Sequence, residues 1–232
     1  MGTLYDTLNE DFRLEEALGA CMNCGVCTAI CPAAEFYKYD PRIICTIVQS
    51  QDDAEIEKLL KSDTIWYCGQ CMSCKTRCPR GNAAGVVISV LRTWSQKLGY
   101  FVESEKGRQQ LALKRAIGHN ILERGYCVHP DIVSVEKHPE QGPVWEWYIK
   151  NIAEVSPRFG AKYHQRGAGA IREIAPENLK ELHDIFEVTG GLEMYRTIEE
   201  KSEEYAKGHN LPFDGSYVEK VFTEDSGNHN HE

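Results

Sequence analysis

The chain has 232 residues, a formal charge of −9 and 42% hydrophobic residues, enough apolar material for a core without disulfide staples. An acidic balance of this kind argues against nucleic acid as a partner, because phosphates would repel such a surface. No stretch approaches the ~20 uncharged apolar residues of a membrane helix; the best one, "GNAAGVVISVL", ends at Arg92, so no transmembrane segment is expected.

The opening "MGTLYDTLNEDF" is acidic and lacks the apolar centre of an export signal, and Asp6 stands where a myristoylation site needs Ser or Thr. Ten cysteines in such a chain point to reduced, metal-binding thiols and to a cytoplasmic protein. The first cysteine quartet, "CMNCGVCTAICP", spans Cys21 to Pro32. A helix is predicted from Pro41, with Asp40 as its N-cap, and Ile56, Leu59 and Leu60 form the apolar face of another. The second quartet, "CGQCMSCKTRCP", spans Cys68 to Pro79. Val86, Val87, Val90, Leu91, Trp94 and Leu98 then recur at helical spacing. Ser104 reads as the cap of a further helix, with Leu111, Ile117, Ile121 and Leu122 on its apolar side and Gly125 near its end. The proline-rich "GYCVHPDIVSVEKHPEQGP" reads as a connector. Helices follow from Val144 to Val155, from Pro176 to Thr189 with Gly190 as C-cap, and from Leu192 to Lys207. The glycine-rich "GAGAIREI" from Gly167 reads as a flexible turn. The fold class is mostly α, closing on a polar, disordered tail whose His229 and His231 are weak candidates for a stray ion.

The two quartets share one spacing, C-x2-C-x2-C-x3-C-P, 47 residues apart. Thiolates so closely spaced converge on a soft metal centre. In this arrangement three cysteines wrap one iron–sulfur cubane and the fourth ligates the other cluster. The following proline helps to turn the fourth sulfur away from its own loop. One [4Fe–4S] cluster is therefore expected on Cys21, Cys24, Cys27 and Cys78, and a second on Cys68, Cys71, Cys74 and Cys31. Paired zinc sites are the competing reading, but zinc motifs usually join two CxxC units across a longer loop.

Cys45, in the apolar "RIICTIV", reads as a buried small hydrophobe. Cys127, in "GYCVHP" with His129 two residues on, reads as buried packing in preference to a redox thiol or ligand. Lys75, Arg77 and Arg80 surround the second quartet; they would favour the reduced cluster or dock an acidic partner, and both readings stand. No phosphate-binding glycine motif, nucleophile elbow or zinc-protease motif occurs, so no catalytic residue is expected.

At "CMNCGVCTAICP", "YDPRII" and "IWYCGQCMSCKTRCPRG" the chain resembles the C-type subunit of heterodisulfide reductase, within residues 15–95. The resemblance implies an α-helical ferredoxin with two [4Fe–4S] clusters, an electron-transfer protein with no chemistry of its own. It would relay electrons between two partners of the same complex, a flavin-containing A-type protein and a Cys-Cys-Gly-containing B-type protein. This chain has no Cys-Cys pair, which fits the relay role. Beyond residue 100, "KGRQQLALKRAIGHNILERGYCVHPDIV" and "HPEQGPVWEWYIKNI" are similar to the C-type protein of the heterodisulfide reductase-like complex of sulfur oxidisers. Electron flow would then run oxidatively, from a sulfur substrate to a carrier. The expected organisation is an α-helical ferredoxin domain at 1–100, a helical, partner-docking C-terminal extension at 101–222 and a disordered tail at 223–232. Iron–sulfur subunits of glycolate-, glycerol-phosphate- or succinate-type dehydrogenases are one alternative. They fit less well, for want of Cys-Cys-Gly segments or of room for a [2Fe–2S] domain. A non-redox zinc-binding adaptor is the other. In "VWEWY", Trp145, Trp147 and Tyr148 read equally as docking surface or as helical core.

Overall fold

A computed structural model describes residues 3–136 and 139–223. Nearly all of the expected tail, His229 and His231 included, lies outside the described residues. Those residues are mostly helical and contain no strand, only an isolated antiparallel bridge between Tyr163 and Arg172. The chain forms two compact units, one of Met1–Leu111 with Arg196–Glu232 and one of Ala112–Tyr195.

The first unit opens with α1 (Leu4–Asn9) and α2 (Phe12–Leu18). A capping box starts α1: the Thr3 hydroxyl accepts from the Asp6 N–H, and the Asp6 carboxylate accepts from the Thr3 N–H. The short helices α3 (Val26–Ala29) and α4 (Ala33–Phe36) lie in and after the first quartet. Pro41 begins α5 (Pro41–Ser50) as expected, with the Asp40 carboxylate accepting from the Arg42 and Ile43 N–H groups. Asp52 caps α6 (Asp53–Leu60) in the same way, and Ile56, Leu59 and Leu60 are all buried. The second quartet holds α7 (Ser73–Arg77), and α8 (Ala84–Lys97) follows it.

Helix α8 is the centre of this unit. Val87, Ile88, Val90 and Leu91 are wholly buried against Leu14, Ile44, Val48, Leu60 and Ile65, and each such side chain contributes about 1.5–3 kcal/mol by leaving water. The buried Ser95 satisfies its hydroxyl on the Leu60 carbonyl at 2.7 Å.

Ser104 caps as expected, its hydroxyl accepting from the Gly107 N–H, but the run to Gly125 is not one helix. It divides into α9 (Glu105–Arg108), α10 (Gln110–Leu113), a π-type turn (Lys114–Gly118) and α11 (His119–Arg124). Two of its glycines lie in tight surroundings. A Cβ on Gly107 would lie 2.0 Å from the Phe101 carbonyl oxygen, and one on Gly118 would lie 2.7 Å from the Tyr195 hydroxyl. Gly125, at φ 75°, ends α11.

The expected helix at Val144–Val155 is likewise split, into α12 (Gly142–Lys150) and α13 (Ile152–Val155). The Asn151 side chain between them donates to the Trp147 carbonyl at 2.7 Å, a local bond that competes with helix continuation. Then come α14 (Pro176–Val188) and α15 (Gly191–Gly208), with Gly190 at φ 80° between them. The sequence reading passes over α16 (Gly215–Thr223). In the first unit, Ile198, Ser202 and Ala206 of α15 and Tyr217 and Val221 of α16 are buried.

Candidate metal centre

The two quartets fold into the same loop. Asn23 and Gln70, equivalent in the repeat, both take left-handed backbone (φ 56° and 51°), as do Gly25 and Met72 (φ 81° and 59°). The backbone bonds repeat as well: Thr28 N–H to Gly25 O and Cys31 N–H to Thr28 O have their counterparts in Lys75 to Met72 and Cys78 to Lys75. Each loop bends twice through left-handed residues and enters a short helix, α3 or α7, from which its fourth cysteine leaves.

Helices α3 and α7 pack on each other, and flanking contacts tie the loops crosswise. After Cys78, the Ala83 N–H donates to the Ala17 carbonyl at 3.0 Å, and Asn82 Oδ1 accepts from the Ala20 N–H just before Cys21. After Cys31, the Tyr37 ring stacks on Tyr67 just before Cys68, with centroids 4.5 Å apart. Asp40 also accepts from the Thr28 hydroxyl, which fixes the first loop to the start of α5.

Two cavities result. Cys31, Cys68, Cys71 and Cys74 line the first, with Tyr39 and Ile88 among its walls. Cys21, Cys24, Cys27 and Cys78 line the second, together with Cys45, Arg42 and Arg80. Cys27 and Cys74, equivalent in the repeat, line both. All eight motif cysteines thus face one hollow or the other.

The donor set fits cubane clusters. Among the described residues no three His, Cys, Asp or Glu side chains converge on a point where a single ion would sit. A cubane needs thiolates spread around a cage, one to each iron, with N–H groups directed at the sulfurs. The Gly85 N–H reaches Cys74 Sγ at 3.3 Å and the Gln70 N–H reaches Cys68 Sγ at 3.4 Å. Gly85 permits this approach, since a Cβ there would meet Met72 Sδ at 3.3 Å and Cys74 Sγ at 3.5 Å.

Burial pushes the Cys27 thiol up, opposed by hydrogen bonds from Thr28. Burial also raises Cys31, reinforced by Cys68 and Cys71 and opposed by the backbone N–H groups of Ala33 and Ala34. The Ser73 hydroxyl, 3.5 Å from Cys71 Sγ, instead draws that exposed thiol down. Metal binding requires the thiolates, so loading the buried sites releases protons.

Cys45 is 3% exposed, as expected, but it lies in the wall of the second cavity instead of in remote packing. Cys127 is exposed, contrary to expectation, because the chain leaves α11 at Gly125 for an irregular connector that does not enclose it. Lys75 and Arg77 are exposed, and Arg80 lines the cavity of Cys21, Cys24, Cys27 and Cys78 instead of that of its neighbouring loop. Sequence reasoning misses Arg92, on α8, whose Nε and Nη2 donate to the carbonyls of Ile65 and Cys68, both at 2.7 Å. Its only sequence signal is a cation interrupting an apolar helix.

Residues 17–82 match a family model described as a 4Fe-4S dicluster domain. The C-type subunit of the ferredoxin:CoB-CoM heterodisulfide reductase of Methanosarcina acetivorans is 30% identical over 204 residues, which cover 87% of this chain and 75% of that protein. The C-type iron–sulfur subunit of the CoB–CoM heterodisulfide reductase of Methanopyrus kandleri is 31% identical over 66% of this chain and 77% of its own length. A third relative, the C-type subunit of the H2:CoB-CoM heterodisulfide, ferredoxin reductase of Methanothermobacter marburgensis, is 25% identical over 75% of this chain and 76% of its own length. With thiol-lined cavities suited to [4Fe–4S] chemistry and relatives matched over most of its length, the chain belongs to the family of C-type heterodisulfide reductase subunits and is an iron–sulfur electron-transfer protein.

Proposed function

We propose that the chain holds two [4Fe–4S] clusters with exchanged fourth ligands, Cys21, Cys24, Cys27 and Cys78 on one and Cys68, Cys71, Cys74 and Cys31 on the other. The observation that carries this reading is the crossed lining of the two cavities: Cys31 shares its hollow with the second quartet and Cys78 with the first. Bound there, each cluster supplies one-electron redox chemistry. The chain's own part is to space and insulate the two sites. Cys27 and Cys74 stand in the wall common to both cavities, so the sites are direct neighbours.

Two neighbouring one-electron sites and no substrate chemistry describe a relay. In our reading it runs between a flavin-containing partner and a Cys-Cys-Gly-containing partner in a cytoplasmic heterodisulfide reductase-like complex. Among the described residues no helix is long and apolar enough to cross a membrane. The likeness of the region beyond residue 100 to the sulfur-oxidiser protein supports a role in sulfur oxidation. The helical extension after residue 100 would serve docking, and the exposed side chains of α12 support that part.

Anaerobic purification from the native cell tests the reading. Two paramagnetic signals on reduction, one lost in Cys31→Ser and the other in Cys78→Ser, together with co-purified flavin and Cys-Cys-Gly proteins, are the expected result. Loss of the same signal in both variants would overturn the ligand exchange. Reduction of the clusters by a sulfur substrate, rather than oxidation by a heterodisulfide, would support the oxidative direction.

A further inference from the structure

Two side chains outside the cysteine motifs stand behind the first cavity. Tyr39 is 5% exposed, lines that cavity, and its hydroxyl has no well-formed hydrogen-bond partner among the described residues. An unpartnered buried hydroxyl is destabilising, and a filled site would supply it with an acceptor. The acceptor at hand is sulfur, since Cys68 and Cys31 line the same cavity as Tyr39 and both bear electrostatically on its hydroxyl.

Arg92 is the second. Its guanidinium is part-buried, pinned to the carbonyls of Ile65 and Cys68, and it lies over the Trp66 ring at 5.4 Å. Guanidinium stays charged in proteins. Among the described residues no carboxylate pairs with it, and the charged or titratable groups that bear on it are Cys68 and Tyr39. A part-buried, uncompensated cation implies an anion nearby, and four thiolates on a cluster are one.

The second cavity has cations of a different kind. Arg80 is exposed, and Arg42 is half-exposed and already paired with Asp40 at 3.4 Å. Water screens such charges, whereas a part-buried one is screened much less.

We propose that Tyr39 and Arg92 bias electron occupancy toward the site of Cys31, Cys68, Cys71 and Cys74, the hydroxyl by donating to Cys68 sulfur and the guanidinium by its charge. Adding an electron raises the negative charge on the sulfurs, so a hydrogen-bond donor and a cation both stabilise the reduced state and raise the potential. The Gln70 and Gly85 N–H bonds to Cys68 and Cys74 act in the same direction. Residues of the fold, and not the cysteine spacing, which is identical in both quartets, thereby order the two sites. The inference rests on the cluster assignment proposed above.

Potentiometric titration of the full, anaerobically loaded chain, followed by EPR and with iron counted per chain, tests it. Cys31→Ser and Cys78→Ser assign the two signals. In the unaltered chain the signal lost in Cys31→Ser should be reduced first. Tyr39→Phe should lower the midpoint of that signal alone, at unchanged iron content. Arg92→Met should lower it further, and Arg92→Lys, which keeps the charge, should fall between Arg92→Met and the unaltered chain. If Arg92→Met loses iron, Tyr39→Phe decides. An unmoved midpoint in Tyr39→Phe, or the opposite order of reduction, overturns the proposal while leaving the assignment intact. If Cys31→Ser and Cys78→Ser do not remove different signals, the assignment fails and takes the proposal with it.

Discussion

Asn82 Oδ1 accepts the backbone N–H of Ala20 at 3.2 Å, joining the chain just after the second quartet to the chain just before the first. The Tyr37–Tyr67 stack makes the reciprocal join, from after the first quartet to before the second. Each contact sets a fourth cysteine beside the other loop's three. The ligand exchange proposed above would thus be prepared by ordinary protein contacts and would not depend on metal alone.

Removing one join should act on one site. Asn82→Ala forfeits a single hydrogen bond, about 0.5–1.5 kcal/mol, so the fold should survive with a slightly lower melting temperature. The site of Cys21, Cys24, Cys27 and Cys78 should then lose iron faster under a chelator than the other. EPR of the partly stripped protein reads which signal fades; preferential loss of the signal assigned to Cys31, Cys68, Cys71 and Cys74 would contradict this account.

Cys45 and Cys127 should both be dispensable for metal content, although Cys45 lines a cavity. On the proposed assignment the eight motif cysteines complete two cubes, so Cys45→Ala and Cys127→Ala should each retain about eight iron atoms per chain. A fall toward about four in either variant, measured as iron and acid-labile sulfide, would make that residue a ligand.

Much of this architecture is legible in the sequence, for identifiable reasons. Asp40-Pro41, the Ile56/Leu59/Leu60 face and the α8 period depend on local chemistry, and they appear where expected. The shared spacing of the two quartets carries the metal reading. What escapes is tertiary. Nothing in the residue types of Gln70 and Met72 announces left-handed backbone; only their equivalence to Asn23 and Gly25 does. Asn82 and Arg92 act through partners remote in sequence, and the run from Ser104 to Gly125 is interrupted at Gln109 and by a π-type turn at Lys114–Gly118, neither of which its apolar spacing announces. Cys127 is misread because burial depends on what a connector packs beneath.

The second unit should be sensitive to acid through His129. This imidazole is 4% exposed, and its Nδ1 accepts the Asp131 N–H at 3.3 Å. Burial first, with Arg124 and His164 adding to it against Asp131, holds its pKa below the ordinary 6.5. The unfolded chain therefore takes up the proton first. Stability is fully present above about pH 6.5 and falls as the pH drops toward the lower folded value, by at most ~1.4 kcal/mol per pH unit. Thermal melts across about pH 5–7, followed by tryptophan fluorescence, should show this slope, and His129→Gln should flatten it. An equal slope in His129→Gln and the unaltered chain would assign the acid sensitivity elsewhere.

Docking through α12 makes the last prediction. The helix buries none of its residues fully, and Val144 and Trp147 are 74% and 57% exposed. Trp145 and Tyr148 are already engaged, Trp145 by donating to the Val133 carbonyl at 3.1 Å and Tyr148 by packing against Trp145 and Phe159. Of the three aromatics, Trp147 is therefore the one left to solvent, and under the proposed docking role it would be buried at the interface, where tryptophans typically contribute about 2 kcal/mol or more. Trp147→Glu should leave iron content and melting unchanged yet weaken capture of the flavin or Cys-Cys-Gly partner about 30-fold or more. Trp145→Phe, altered on the inward side, should cost stability before it costs binding. Unchanged capture by Trp147→Glu would return α12 to an ordinary solvent-facing helix and move the docking surface elsewhere on the chain.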